Sequence, residues 1–342
     1  MPQDHGSRTL TCYAPGKAVL AGEYAVLVGA PSLVMAVNRY ARCSITPNTS
    51  NIWSFNSSGF TGRSEHTLDS LARPADMASA DPARLLSWVL ATVPVNQNGK
   101  PTNAPSFEGL PKGAEVVTDT QDMFESGLKL GLGSSAALIT ALTGCVSALR
   151  GDQPPTFETI HRAHQASQGG IGSGLDVATS LAGGVIRFQS GEAEAAHWPA
   201  DLHYRFVYSG KPAQTSPLVQ RFNAWRESAQ NDTEIEALTA LFDASATLAN
   251  TGINLDNLHR YIQALRDLDG SAGIGIYTSE HRQIASIAER YHLLYKPCGA
   301  GGGDLGVAIG DSEASLNRFA SAIATNFAVI DLEIAANGLI IG

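Results

Sequence analysis

A run of glycine restricts the fold of this chain more than any other feature, since four of the five residues from 299 to 303 are glycine. Each glycine loses more backbone entropy on folding than any other residue, and ordinary turn chemistry does not require four of them. Such runs are typical of places where the backbone closely approaches a ligand. The segment Pro297–Ile309 is therefore predicted to lie at a binding site, and the simpler interpretation of Asp304 is that it holds the turn.

Composition sets broad limits on the protein class. The 342 residues suffice for about two domains at roughly 150 residues each. A formal charge of −9 argues against general binding of nucleic acid, which requires a basic surface. It is compatible with a local basic pocket for a small anion. The four cysteines form no CxxC pair, and no apolar stretch reaches the ~18 residues that a membrane span needs. We expect no secretory signal, no membrane contact and a cytoplasmic location.

The order of the predicted elements favours an α+β fold. Strands are expected within residues 9–46, divided by Pro15-Gly16 and by residues 29–31, because proline and glycine punctuate the apolar runs. Later segments alternate between helical and strand patterns, with helices over 81–93, 156–168, 279–292 and 312–326 and strands over 185–189, 305–309 and 329–335. A mixed, charged stretch near 191–201 separates a predicted N-terminal domain, 1–195, from a C-terminal domain, 196–342.

The segment KLGLGSSAA, Lys129–Ala137, leads from glycine-rich chain into an apolar helix. Such a turn exposes backbone N–H groups at the positive end of a helix, which is a site for phosphate. Lys129 adds a charge beside it, and a serine hydroxyl there can reach Mg²⁺. The segment is not the GxxxxGK[ST] loop, because its lysine precedes the glycines. The alternative is a tight turn in which Ser134 is the N-cap.

Two further segments carry charged residues among small or apolar ones. In GSGLDVA, Gly172–Ala178, the carboxylate of Asp176 can orient an acceptor hydroxyl or accept its proton, or it can be a helix N-cap. In PGKAVLAGEYAVL, Pro15–Leu27, Lys17 needs an anionic partner. That partner is Glu23, a substrate phosphate or Asp176.

Together and in this order, these segments resemble the GHMP kinase superfamily, which includes galactokinases, homoserine kinases, mevalonate kinases and phosphomevalonate kinases. Several details are similar to the phosphomevalonate kinase family: AHQASQ followed by GSGLDVA, then YSGKPAQTS, YTSEHR and KPCGAGGGD, with Cys298 where that family has serine. Mevalonate kinases place a magnesium-binding glutamate eleven residues before the catalytic aspartate, where this chain has Gln165. Mevalonate diphosphate decarboxylases match the glycine loop less well.

The resemblance implies an N-terminal ribosomal-protein-S5-domain-2-like layer, a C-terminal ferredoxin-like layer, and ATP with Mg²⁺ in the cleft between them. Asp176 and Lys17 correspond to the catalytic pair. The ATP phosphate loop would consist of Lys129, Gly131, Leu132, Gly133, Ser134, Ser135 and Ala136, with Ser135 as the magnesium ligand. The acceptor site would include Lys17, Glu23, Tyr24, Ser173, Gly174, Lys211, Gly301 and Gly302. Residues 96–112 are the place to look for adenine contacts.

The implied activity is ATP-dependent phosphorylation of (R)-5-phosphomevalonate, as a monomer or homodimer. A phosphorylated acceptor requires additional cations, for which Lys211, Arg187, His281 and Arg282 are candidates, each with a plain surface charge as its alternative. The alternatives for the whole protein are a mevalonate kinase or another small-molecule kinase of the superfamily, and a catalytically silent protein that binds a metabolite. Members of the superfamily without catalytic activity normally lack the lysine, the aspartate or the phosphate loop. This chain has all three, with the lysine at Lys17 and the aspartate at Asp176.

Overall fold

The computed structural model describes residues 8–58, 62–92, 107–170, 172–228 and 232–342. Their strands are β1 (Leu10–Ala21), β2 (Ser32–Asn48), β3 (Trp53–Ser57), β4 (Ser64–His66), β5 (Gly113–Asp119), β6 (Phe124–Glu125), β7 (Leu128–Lys129), β8 (Val185–Gln189), β9 (Glu192–Ala196), β10 (His203–Tyr208), β11 (Leu294–Pro297), β12 (Leu305–Gly310), β13 (Ala328–Ile330) and β14 (Ile340–Ile341). Their helices are α1 (Leu68–Leu71), α2 (Arg84–Thr92), α3 (Ser134–Arg150), α4 (Phe157–Ser167), α5 (Leu175–Ala182), α6 (Thr215–Ser228), α7 (Asp232–Thr251), α8 (Leu255–Ala272), α9 (Ser279–Arg290) and α10 (Glu313–Ile323). Within these ranges no helix has the length and hydropathy that a membrane crossing requires.

The first sheet contains eight strands in the order β14-β1-β2-β5-β3-β4, with β8 beside β2 and β9 beside β8. The predicted division at Pro15-Gly16 is wrong, because β1 continues through it as a shift in register against β2. Such a bulge bends the strand and changes the direction of the residues that follow. Here it allows the Lys17 N–H to donate to the carbonyl of Leu132, 2.9 Å away, which joins β1 to the predicted phosphate loop. The predicted strand over 17–28 is also too long, since Ala25–Val28 is a 3-10 helix.

Helix α3 is buried along most of its length and packs against β1 and β2. It contains two buried threonines whose hydroxyls would be costly to leave unpaired. Thr140 donates to the carbonyl of Ala136 at 2.8 Å, and Thr143 donates to that of Ile139 at 2.7 Å. The helix is therefore held firmly by the core, and its first turn has a fixed position relative to β1.

The second sheet has four strands in the order β11-β12-β10-β13, all paired antiparallel. Along the chain, helices α6–α9 separate β10 from β11, a turn joins β11 to β12, and α10 precedes β13. This βαββαβ order with the first and third strands central is the ferredoxin-like arrangement. The predicted α+β class is confirmed, and the ferredoxin-like layer lies where the resemblance implied it.

The chain returns to the first sheet after β13. Asn38 N–H donates to the carbonyl of Glu333 at 3.0 Å, Ala335 N–H donates to that of Ala36 at 2.9 Å, and β14 pairs with β1. The sequence did not predict this return. The predicted boundary between residues 195 and 196 falls inside β9, one residue before the end of the last strand that the first sheet has before β10 begins the second. As a division into two domains it stays a prediction.

Candidate functional site

The first turn of α3 is open to a ligand. Its N-cap residue is Gly133, in the left-handed conformation with φ 74°, and glycine has no side chain that could accept the free amides of the turn. Ser134 is thus the first residue inside the helix and not its N-cap. The exposed N–H groups and the positive end of the helix dipole together favour an anion at this position.

Lys17 and Asp176 meet beside this turn. The ammonium nitrogen of Lys17 lies 3.7 Å from a carboxylate oxygen of Asp176, and their side chains are 10% and 34% exposed. A Cβ atom at Gly133 would lie 3.2 Å from Oδ2 of Asp176 and 3.3 Å from Cε of Lys17, so glycine allows this close approach. Of the three predicted partners for Lys17, the structure provides Asp176. The roles of the two residues in catalysis stay predictions.

The position of Asp176 depends on the start of α5. The N-cap of that helix is Gly174, with φ 87°, and Asp176 follows in the first turn, so the N-cap interpretation of Asp176 is wrong. Gly174 has no room for a side chain, because a Cβ there would lie 2.8 Å from the ring of His161. Ser173 Oγ accepts a hydrogen bond of 3.4 Å from the N–H of Leu175. Burial lowers the pKa of nearby His164, and the charge of Asp176 partly opposes that change.

The glycine-rich segment closes the site from the second sheet. Gly302 N–H donates to the carbonyl of Ile276 at 3.0 Å, and a Cβ at Gly301 would lie 2.6 Å from Ile276. Gly299 approaches Lys17, since a Cβ there would lie 3.7 Å from Nζ. At the next residue, the Tyr24 hydroxyl donates to the carbonyl of Ala300 at 2.6 Å. The close contact with Ile276 explains the glycine at 301, and the segment contacts Tyr24 and approaches Lys17.

Asp304 holds the end of this segment. Its N–H donates to the carbonyl of Lys211 at 2.7 Å, and its Oδ1 accepts the Ala213 N–H at 3.0 Å. Its other carboxylate oxygen faces Gly131 so closely that a Cβ at Gly131 would overlap it. Burial raises the pKa of Asp304, while the Ala213 N–H and the charges of Lys129 and Lys17 oppose the rise. Asp304 therefore connects the glycine-rich segment to the predicted phosphate loop.

Glu23 does not lie at the acceptor site. Its carboxylate is 1% exposed, lies 2.5 Å from the ammonium nitrogen of Lys296 and accepts a hydrogen bond from the Tyr261 hydroxyl. Both its predicted contact with the acceptor and its alternative pairing with Lys17 are thus wrong, because other partners bury the carboxylate. Lys296 and Tyr261 were missed, although a lysine within a strand pattern next to the glycine run was a signal for Lys296.

The candidate acceptor cations have different outcomes. The prediction that His281 contacts the acceptor is wrong, because the side chain is completely buried. Its ring nitrogens form hydrogen bonds with Tyr295 Oη and the Gly303 carbonyl, and burial lowers its pKa to about 4. Arg187 forms an ion pair with Glu194 at 3.6 Å, which agrees with the alternative prediction of a plain surface charge. Lys211 is 57% exposed and lies 2.5 Å from Glu280. Its contact with the acceptor stays a prediction.

Three further predictions concern Arg282, Cys298 and the segment 96–112. Arg282 donates to the carbonyl of Tyr277. Cys298 is half-buried, and burial raises the pKa of its thiol to about 11. Most of the segment 96–112 predicted for adenine lies outside the described residues, since only 107–112 is described.

The predicted magnesium ligand is at the start of α3. Ser135 lies in the first turn of α3, and its hydroxyl oxygen accepts a hydrogen bond of 3.3 Å from Nε2 of Gln168. Among the described residues there is no group of three or more acidic, histidine or cysteine side chains that could hold a metal ion. Mg²⁺ usually keeps several waters and is bound through one or two carboxylates plus substrate phosphates. Ser135 as its ligand stays a prediction.

Comparisons with known proteins agree with this geometry. The GHMP kinases N-terminal domain matches residues 112–184, which include α3, α4 and α5. A phosphomevalonate kinase from Streptomyces sp. (strain CL190) is 29% identical over 91% of this chain and 92% of its own length. A mevalonate kinase from Methanothermobacter thermautotrophicus is 26% identical over 96% of this chain and 98% of its own. The structure of Streptococcus pneumoniae phosphomevalonate kinase with phosphomevalonate and AMPPNP superposes with a TM-score of 0.67 and 17% identity, over 95% of this chain and 99% of that one.

The fold, the site and these matches confirm the predicted resemblance to GHMP kinases. Within that superfamily, the predicted resemblance to phosphomevalonate kinases is confirmed by a relative that aligns over nearly the full chain.

Proposed function

We propose that this chain is a phosphomevalonate kinase that transfers the γ-phosphoryl group of ATP to (R)-5-phosphomevalonate, giving 5-diphosphomevalonate and ADP. The observation that carries the proposal is the contact of Lys17 with Asp176 beside the open first turn of α3. A cation and free backbone amides at one point are what a transferring phosphoryl group requires, because its charge is spread over three oxygens. The Streptomyces phosphomevalonate kinase supports the choice of acceptor.

In this mechanism the first turn of α3 binds the triphosphate through its amides. Lys17 contacts the transferring phosphoryl group, whose negative charge its ammonium stabilises. The attacking atom is an oxygen of a phosphate that is already anionic at neutral pH, so little proton removal is needed. Asp176 then has a positioning role, because its carboxylate holds the Lys17 ammonium 3.7 Å away.

Mg²⁺ belongs to the proposal as well. Ser135 would hold it together with the ATP phosphates, and the ion would neutralise charge on those phosphates. Gln168, which donates to the Ser135 hydroxyl at 3.3 Å, would orient that ligand. The Ser135→Ala variant should therefore need more Mg²⁺ for half-maximal rate, and Gln165→Glu should need less, because it adds a carboxylate where mevalonate kinases have one.

The mevalonate kinase alternative remains because the relative from Methanothermobacter aligns over almost the whole chain. A cytoplasmic location, action in the mevalonate route to isoprenoid precursors and a monomeric or homodimeric state complete the proposal.

The test is ADP release with Mg-ATP and phosphomevalonate, mevalonate or no acceptor in separate reactions. Turnover with phosphomevalonate, abolished in Lys17→Met, is the expected result. Turnover with mevalonate instead would contradict the proposed acceptor but still support ATP-dependent phosphoryl transfer. Absence of turnover with both acceptors, from a protein that is folded by circular dichroism, would contradict the proposal as a whole.

A further inference from the structure

One face of α6 lines the acceptor side of the site. Leu218 lies beneath the glycine-rich segment, since a Cβ at Gly302 would be 2.8 Å from its Cδ1. Phe222 packs against the ring of Tyr24, with 5.1 Å between the ring centroids. Arg221 lies one residue before Phe222 and three after Leu218, and residues three apart share a helix face. The helix therefore presents Arg221 next to the region where Tyr24 contacts the glycine-rich segment.

The guanidinium of Arg221 also reaches the turn between α8 and α9. Its Nη1 would lie 3.6 Å from a Cβ at Gly275. Burial raises the pKa of the Tyr24 phenol, Asp269 and Glu23 add to the rise, and the charge of Arg221 opposes it. Arg221 and Asp269 therefore both lie within electrostatic range of Tyr24.

Arg221 has no close ionic partner in the described part of the chain. No carboxylate there lies within 4.0 Å of its guanidinium. Asp269, which like Arg221 lies within electrostatic range of Tyr24, is committed to backbone amides. Asp269 Oδ1 accepts the N–H groups of Gly275 and Ile276 at 2.7 and 2.8 Å, and Oδ2 accepts that of Tyr277 at 2.9 Å.

Other cations near this region are already engaged. Lys211 pairs with Glu280, Arg282 donates to the Tyr277 carbonyl, and the guanidinium of Arg266 lies 5.6 Å from the centroid of the Tyr277 ring. An exposed guanidinium without such a partner is suited to a carboxylate of a ligand, because its planar fork matches the two carboxylate oxygens.

We propose that Arg221 binds the anionic group of the acceptor that lies at the opposite end from the reacting phosphate. The inference rests on the proposed function. Lys17 approaches Gly299, the Tyr24 hydroxyl donates to the carbonyl of Ala300, and Arg221 lies within electrostatic range of Tyr24. An acceptor placed along this segment would hold its reacting phosphate at Lys17 and a second anionic group at Arg221. Phosphomevalonate has this form, with a phosphate at one end and a carboxylate at the other. Arg221 thus makes the enzyme selective for acceptors with two separated anionic groups.

The experiment compares Arg221→Ala with Arg226→Ala in the full chain. Arg226 is a matched control, because it is on the same helix and its guanidinium lies 5.9 Å from the centroid of the Phe222 ring. Both variants are assayed with phosphomevalonate and with its C1 amide, which keeps the phosphate and removes the carboxylate charge. We expect Arg221→Ala to lower kcat/KM for phosphomevalonate by about 10- to 100-fold through KM, as loss of a charge-assisted hydrogen bond does. The KM for ATP should not change.

The amide distinguishes a direct contact from a structural effect. If Arg221 binds the carboxylate, the wild-type enzyme already loses that interaction with the amide, and Arg221→Ala lowers kcat/KM for the amide by less than about threefold. Equal losses for both acceptors, or a loss no larger than that in Arg226→Ala, would overturn the inference and leave the proposed function intact. Absence of turnover of phosphomevalonate by the wild-type enzyme would overturn the proposed function and this inference with it.

Discussion

The ammonium nitrogen of Lys296 lies 2.5 Å from the carboxylate of Glu23, although 273 positions separate the two residues in the sequence. Lys296 is in β11 of the second sheet, and Glu23 follows β1 of the first. The pair is shielded from water, with side-chain exposures of 0% and 1%. Lys296 also donates to the carbonyl of Val19 at 3.1 Å. The pair thus connects the start of the glycine-rich segment to the segment that holds Tyr24.

Removal of one member of this pair should destabilise the protein strongly. Lys296→Met should lower the free energy of unfolding by about 3–5 kcal/mol, because it leaves the buried Glu23 carboxylate without its cation. The combined variant Glu23→Gln with Lys296→Met should lose less than the two single losses added together, since neither charge then remains. The measurement is equilibrium unfolding in urea. Lys211→Met is the control, because the Lys211–Glu280 pair is at the surface and its loss should have little effect. Equal stability of Lys296→Met and Lys211→Met would contradict the assignment.

His281 should make stability depend on pH. Its pKa is lowered from 6.5 to about 4 by burial, so the folded state keeps the ring neutral where the unfolded chain binds a proton. The stabilisation is present in full above pH 6.5 and is lost as the pH falls towards 4, by about 3 kcal/mol in total. Urea unfolding at several values between pH 7 and 4.5 measures the slope.

His281→Gln is the variant for that comparison, because glutamine keeps a donor and an acceptor for Tyr295 and Gly303 but does not titrate. The variant should be less stable than the wild type at pH 7 and should lose less stability on acidification. Parallel slopes for the two proteins would show that His281 is not the source of the pH dependence.

Gly133 should matter for ATP binding beyond its effect on stability. Alanine at Gly133 or at Gly151 adopts a left-handed conformation, with φ 74° and 70°, at a cost of about 1–2 kcal/mol. These two residues cap opposite ends of α3. A Cβ at Gly133 enters the space beside Asp176 and Lys17, whereas at Gly151 it meets nothing within 4 Å.

We therefore expect Gly133→Ala to raise the KM for ATP and lower kcat, and Gly151→Ala to keep the wild-type kinetics with a similar loss of stability. Steady-state kinetics and thermal unfolding of both variants provide the comparison. Similar kinetic losses in the two variants would mean that helix strain, and not the site, is responsible.

The two charged residues of the site should differ in importance. Lys17→Met should lower kcat by at least about 100-fold, because it removes the cation beside the transferring phosphoryl group. Asp176→Asn should have a much smaller effect, since a phosphate acceptor needs no general base and the amide can still contact Lys17. The kcat of each variant with phosphomevalonate measures this difference. A loss in Asp176→Asn as large as that in Lys17→Met would support a base role and contradict the positioning role.

The sequence indicated this site where the chemistry is local. The glycines around Gly133, the small residues before Asp176 and the glycines after Pro297 are contiguous patterns, and each is explained by a close contact in the structure. Partners far apart in the chain could not be predicted in this way. Nothing near Glu23 indicates that Lys296 neutralises it, so an acidic residue in a motif was interpreted as a ligand contact. His281 was misinterpreted for the same reason, because its burial depends on Tyr295 and Gly303.

Pro15-Gly16 was misinterpreted differently. In a sequence the pair indicates a turn, but in β1 the neighbouring strand supplies register partners on both sides of it. A bulge and a turn have similar composition, and only the pairing with β2 distinguishes them. The return of the chain to β1 after β13 had no sequence signal either, because β14 contains only Ile340–Ile341.

That return has a consequence for biosynthesis. The edge of β1 that β14 covers, from Cys12 to Tyr13, is made early, whereas its partners Ile340 and Ile341 are translated more than three hundred codons later. Until then the ribosome-bound chain exposes an unpaired strand edge, which is a template for association with other chains. We expect the nascent protein to depend on holding chaperones for longer than one whose first sheet closes locally.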